Sequence, residues 1–95
     1  MVLDESQVRE ALADLPGWTG DASAIRKEFS FKGFKAAVGF VQSIVEPANA
    51  ARHHPDLDIR YNRVLITLST HDEGGVTAAD VDLARTIEAL AAEAG

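Results

Sequence analysis

The chain is predicted to be an α+β protein: a four-stranded antiparallel sheet with three helices packed on one face, in the order α-β-β-α-β-β-α. Three observations predict it. Along the 95 residues the apolar period switches repeatedly between helical and strand-like spacing. The strand-like runs come in adjacent pairs joined by short turns, the connectivity of antiparallel hairpins. Each helical run carries a single apolar stripe, so each has one face to bury, and a sheet offers the surface to bury it on.

The elements follow in order. Asp4-x-x-Gln7 has the form of a capping box with aspartate as N-cap. Val8, Ala11, Leu12 and Leu15 continue at helical spacing, and Pro16-Gly17 stops the helix. Trp18 precedes a turn around Gly20-Asp21. From Ala24 to Phe31 the pattern alternates, with Ile25, Lys27, Phe29 and Phe31 on one face and Arg26, Glu28 and Ser30 on the other, as in a half-buried strand. From Gly33 the period turns helical, and Phe34, Ala37, Val38, Val41, Ile44, Val45 and Ala48 form one stripe. Phe40 lies outside that stripe and is expected near an interface. Pro47 predicts a bend, and Pro55 predicts that the helix ends by His54.

Asp58 to Asn62 is expected as a short strand, and Asn62-Arg63 as its tight connection to the clearest strand, Val64 to His71. Val64, Ile66, Leu68 and Thr70 share one face of that strand, and Leu65, Thr67, Ser69 and His71 the other. Asp72-Glu73-Gly74-Gly75 is a turn. Thr77-x-x-Asp80 is a capping-box variant, and Val81, Ala84, Ile87, Leu90 and Ala91 stripe the last helix.

With no linker, repeat or low-complexity segment, residues 1–95 are expected to form a single domain. A core this small is marginal alone, so a homo-oligomer is expected. Hydrophobic residues at 46% and charged residues at 25% are those of a soluble globular protein. Nine Lys+Arg against fifteen Asp+Glu give a net charge of −6, which argues against direct nucleic-acid binding because phosphates need a basic face. The absence of cysteine excludes disulfides, thiolate metal sites and thiol nucleophiles, and suits a reducing compartment. Residues Met1 to Glu5 are acidic and carry no apolar signal region, and no apolar run approaches the length of a membrane span. A cytoplasmic location and no membrane contact are expected.

All three histidines fall between residues 53 and 71: the adjacent pair His53-His54, then His71. Histidine is the one side chain whose ordinary pKa, about 6.5, lets it give or take a proton near neutral pH. Three of them around one pocket would make an acid–base site. Each residue also has a plainer reading. His53 and His54 stand where a cation favours a helix C-terminus, His71 could be a surface residue, and Asp80 could simply cap its helix. A zinc site is disfavoured, because neighbours on a helix point about 100° apart and no His-x-x-x-His spacing occurs. No Gly-x-Ser-x-Gly elbow supports Ser43 or Ser69 as a hydrolase nucleophile.

Taken together, His53-His54-Pro55, Tyr61, His71 and Asp80 resemble in spacing the pterin-4a-carbinolamine dehydratase family. The segment from Tyr61 to His71, the Gly17-Trp18 pair and the run Phe29-Ser30-Phe31-Lys32-Gly33-Phe34 resemble it too. The resemblance covers nearly the whole chain. Two positions depart from the pattern: Asn49, where the family usually has an acidic residue, and Arg52, where it often has Asp or Asn.

The resemblance implies dehydration of a 4a-hydroxytetrahydropterin to the quinonoid dihydropterin, with no metal and no organic cofactor. It implies His53, His54 and His71 as the acid–base groups around the pterin. Ser69, Thr70, Asp80 and Asn49 are then the expected substrate-binding and orienting residues, with Asp80 either turning a histidine or capping its helix. It further implies dimers or tetramers and a functional link to an aromatic amino-acid hydroxylase. The alternative is a non-catalytic binding or regulatory protein on the same fold, of the dimerisation-cofactor or coactivator type.

Overall fold

A computed structural model describes residues 1–94. It contains α1 (Glu5–Ala13), β1 (Thr19–Gly20), β2 (Ile25–Ser30), α2 (Phe34–Ala51), β3 (Asp56–Arg60), β4 (Arg63–Leu68), a short 3-10 turn (His71–Glu73) and α3 (Ala78–Ala94). The four strands pair antiparallel in the order β1-β2-β4-β3. The expected α+β order is therefore the observed one.

The strand alternation sorts the sheet's two faces. Ile25 and Phe29 of β2 and Val64, Ile66 and Leu68 of β4 are buried, while Arg26, Glu28, Ser30 and Arg63 are exposed. The buried set joins Val8 of α1, Ala37, Phe40, Ile44 and Ala48 of α2, and Val81, Leu83, Ala84 and Ile87 of α3 in one apolar core. All three helices thus cover the same side of the sheet. Asp4 caps α1 as the capping box requires, accepting from the Gln7 N–H at 2.8 Å while Gln7 accepts from the Asp4 N–H at 2.9 Å.

Four expectations are corrected. Phe40 is not an interface residue: it is 1% exposed and packs on the rings of Phe29 and Phe31, at centroid distances of 5.2 and 4.8 Å. Alanines at 37 and 48 are small, so the inward face of α2 needs a large residue near its middle, and Phe40 fills that space. Phe34 and Val45, assigned inward, are instead 56% and 50% exposed. The β3–β4 hairpin turns at Tyr61-Asn62 rather than Asn62-Arg63, since Arg60 pairs with Arg63. Tyr61 takes the left-handed position with φ 54°, and the Asn62 side chain holds the turn by donating to the Phe31 carbonyl at 2.9 Å. Finally, β4 ends at Leu68, and His71 opens a 3-10 turn instead of closing a strand. Helix α2 runs on through Pro47 to Ala51.

Candidate active site

Strand register brings the histidines to one end of the sheet. Asp56, the first residue of β3, pairs with Thr67 near the end of β4. The segment entering β3, Arg52 to Pro55, therefore lies beside the segment leaving β4, Ser69 to Asp72. Between them is a cleft of about 220 Å³ lined by Arg52, His53, His54, Ser69, Thr70, His71 and Asp72. Tyr61 belongs to the same sequence spacing but sits at the far end of the hairpin, outside this cleft.

The histidine pair is set by how α2 ends. Arg52 adopts the left-handed conformation (φ 53°, ψ 39°), the His53 N–H donates to the Ala48 carbonyl at 3.0 Å, and the Arg52 N–H to the Asn49 carbonyl at 3.1 Å. These two bonds form a Schellman motif, which satisfies the last carbonyls and reverses the chain sharply. His53 is thereby turned inward and His54 outward. The His53 side chain is 12% exposed, while His54 and His71 are exposed.

Behind His53 lies Asp80, fully buried. A buried carboxylate is tolerable only when its oxygens are paired and hydrogen-bonded. Here Oδ1 pairs with His53 Nε2, and Oδ2 accepts from the Thr70 hydroxyl and from the Thr77 N–H, both at 2.8 Å. The Thr77 hydroxyl in turn accepts from the Ala79 N–H at 3.3 Å and lies 2.8 Å from the Thr70 hydroxyl. Capping its helix and holding a histidine had stood as alternatives for Asp80; its two oxygens do both. With Nε2 of His53 held by the carboxylate, Nδ1 is the nitrogen left to act.

Asn49 does not line the cleft. Its Oδ1 accepts from His54 Nε2 at 2.9 Å, so it acts on His54 from behind and leaves His54 Nδ1 as the free lone pair. His71 Nε2 stands 3.8 Å from Asp56 Oδ2, with both side chains mostly exposed, so solvent screens that pair. Ser69 is tied back, its hydroxyl donating to the Ser23 carbonyl at 2.7 Å. The turn receiving it is stapled by Asp21, which accepts from the Ser23 hydroxyl and backbone N–H. Those two bonds, the hydroxyl's first, hold the Asp21 carboxyl below its ordinary value.

Thr70 has its backbone engaged within the loop. Its N–H donates to the Gly75 carbonyl at 2.9 Å, and its carbonyl accepts from the N–H groups of Glu73 and Gly74 at 3.0 Å. Its part in the site runs through Asp80. Gly75 is buried where a Cβ would stand 2.6 Å from the Ala22 carbonyl oxygen, so only glycine lets the loop carrying His71 approach the β1–β2 turn. Arg52, singled out in the sequence as a departure from the family pattern, is among the residues that line the cleft.

Residues 1–90 match the family model described as pterin 4 alpha carbinolamine dehydratase. The chain belongs to this family. A relative in Roseiflexus castenholzii is 45% identical over 89 residues, covering 94% of this chain and 96% of its own. Another, in Acidobacterium capsulatum, is 49% identical over 88 residues, covering 93% and 96%. Both carry the name pterin-4-alpha-carbinolamine dehydratase provisionally. Among solved structures, a transcriptional coactivator/pterin dehydratase from Brucella melitensis superposes with a TM-score of 0.92 at 42% identity, covering 96% of this chain and 99% of that one. A pterin dehydratase-like RuBisCO assembly factor of the alpha-carboxysome shares the fold, with a TM-score of 0.64 at 21% identity over 78% of this chain and 86% of that one.

Proposed function

We propose that this protein is a 4a-hydroxytetrahydrobiopterin dehydratase, which removes water from the pterin-4a-carbinolamine to give the quinonoid dihydropterin. The observation that carries the reading is that His53, His54 and His71 line one cleft in a chain of the dehydratase family. The chemistry suits them. Hydroxide is a poor leaving group, so an acid protonates the C4a hydroxyl as the C–O bond breaks and water departs. A base takes the proton from the ring nitrogen as the carbon–nitrogen double bond forms. Groups that ordinarily titrate near neutrality serve either task.

His54 and His71 are open to the ligand, whereas His53 is held by Asp80 and presents Nδ1. Asn49 and Asp80 orient rings rather than touch substrate, and Ser69 and Thr70 form the wall. The reaction needs neither metal nor organic cofactor on this reading, and it supports tetrahydropterin recycling in the cytoplasm beside an aromatic amino-acid hydroxylase. The test is turnover of the carbinolamine by the purified protein. Loss of the carbinolamine absorbance no faster than its spontaneous decay would leave the binding-protein reading. That reading has its own support in the coactivator description of the Brucella melitensis relative.

A homo-oligomer, dimer or tetramer, is part of this proposal. Strand β3 is the sheet's long free edge. Its Leu57 and Ile59 are 40% and 37% exposed, and Leu57 shares a shallow cavity with the exposed Val45 of α2. An open edge beside apolar residues is normally covered, and a second copy of the chain covers both. Light scattering should give a multiple of 10.2 kDa, and Ile59→Lys should lower it. A wild-type mass equal to one chain at micromolar concentration overturns this part.

A further inference from the structure

We propose that Arg52 is a specificity-determining residue that selects a substrate bearing an anionic group, phosphate or carboxylate, at the end of its ring substituent. The inference rests on the dehydratase reading and names the class of pterin the cleft prefers. Arg52 lines the same cleft as the three histidines. Among the described residues no carboxylate stands within ion-pair distance of its guanidinium, and no side-chain hydrogen bond engages it.

The charges facing it are few. Asp80 is buried and saturated by His53, Thr70 and Thr77, Asp56 faces His71, and Asp72 is the only carboxylate among the lining residues. Asn49, one turn back on the same helix, is neutral and turned to His54. Arg52 is therefore an exposed cation in the cleft lining with no ion-pair partner among the described residues. A planar fork of N–H donors fits a phosphate or carboxylate in two parallel bonds.

The backbone supplies a second argument. Position 52 is the left-handed C′ site of a Schellman motif, where glycine is the residue without penalty. A bulky side chain there is strained, and strain of this kind collects at ligand sites. The same left-handed turn places residue 52 in the wall of the cleft. Arginine at this position weakens the helix end while supplying the cleft with a charge.

The experiment compares three 4a-hydroxytetrahydropterins whose C6 substituents end in a hydroxyl, a phosphate or a carboxylate. It uses wild type, Arg52→Gln and Arg52→Gly, with thermal melting of each. Wild type should favour an anionic substrate over the hydroxyl one by roughly tenfold in kcat/KM, through KM, as one exposed charge-assisted contact allows. Added salt should shrink that ratio. In both variants the ratio should fall to about one, while Arg52→Gly melts no lower than wild type. Whichever anionic substrate shows the larger ratio identifies phosphate or carboxylate.

Equal kcat/KM for all three substrates in wild type overturns the proposal, as does a preference that survives in both variants. If no substrate is turned over, the dehydratase reading fails. Fluorescence titration with the matching 7,8-dihydropterins then still reads the Arg52 preference as a ratio of dissociation constants. A ratio of one overturns it.

Discussion

Replacing His54 or His71 by alanine is expected to slow carbinolamine dehydration by about 10²–10⁴-fold, the usual worth of a positioned proton-transfer group. Stability should hardly move. Both side chains are exposed, and neither is part of the core. Substitutions at such places usually change stability by about ±0.5 kcal/mol. His71 has a single distant partner, Asp56 at 3.8 Å, and His54 a single amide contact with Asn49. The decisive measurement is paired: initial rates from decay of the carbinolamine and melting temperature on the same preparations. Variants that keep near wild-type rates but melt far lower would make these structural histidines. If both act on one substrate, the double variant should fall short of the product of the single losses, because groups working as a unit are not additive.

Asp80→Ala is expected to damage both fold and activity. It removes a buried carboxylate that satisfies the Thr77 N–H and the Thr70 hydroxyl and pairs with His53. Stranding those partners should cost about 2–4 kcal/mol, since each buried donor left without an acceptor carries its own penalty. In a domain of this size that corresponds to a melting point lowered by roughly 10–20 °C. Asp80→Asn separates the roles. The amide oxygen can keep the bond from the Thr77 N–H, but the amide nitrogen cannot accept from His53 and disfavours its working tautomer. Asp80→Asn should therefore lose less stability than Asp80→Ala while activity stays low. Equal stability losses in the two variants, with near-normal activity for Asp80→Asn, would remove the orienting role.

Most of the fold was legible in the sequence, and the reason is period. Ile25 and Phe29 on β2, and Val64, Ile66 and Leu68 on β4, were assigned inward from alternation alone, and all are buried. Alternation works there because one face of the sheet is apolar and the other charged, so a register slip would expose the core. The same logic failed on α2. A broad apolar stripe does not say which of its residues faces the centre. Phe40 went inward and Phe34 and Val45 outward because the small Ala37 and Ala48 let the helix approach the sheet around one large ring. The hairpin turn also moved by one residue, since cross-strand pairing, not turn composition, set its register.

The three histidines stood out by their clustering in the sequence, while Asp80 and Asn49 were named through the family resemblance, and the structure brings the histidines to one cleft. What each residue touches was not legible. Asp80 serves His53 and its own helix together because α3 starts directly behind the end of α2, a juxtaposition of residues 27 positions apart. Arg52 stood out in the sequence only as a departure from the family pattern; its left-handed turn and its place in the cleft lining came from the structure. Sequence by itself determined the elements, their order and the chemistry-bearing residues, because these depend on local periodicity and residue type. Tertiary structure alone decided partners, orientation and exposure, because those depend on contacts between segments far apart in the chain.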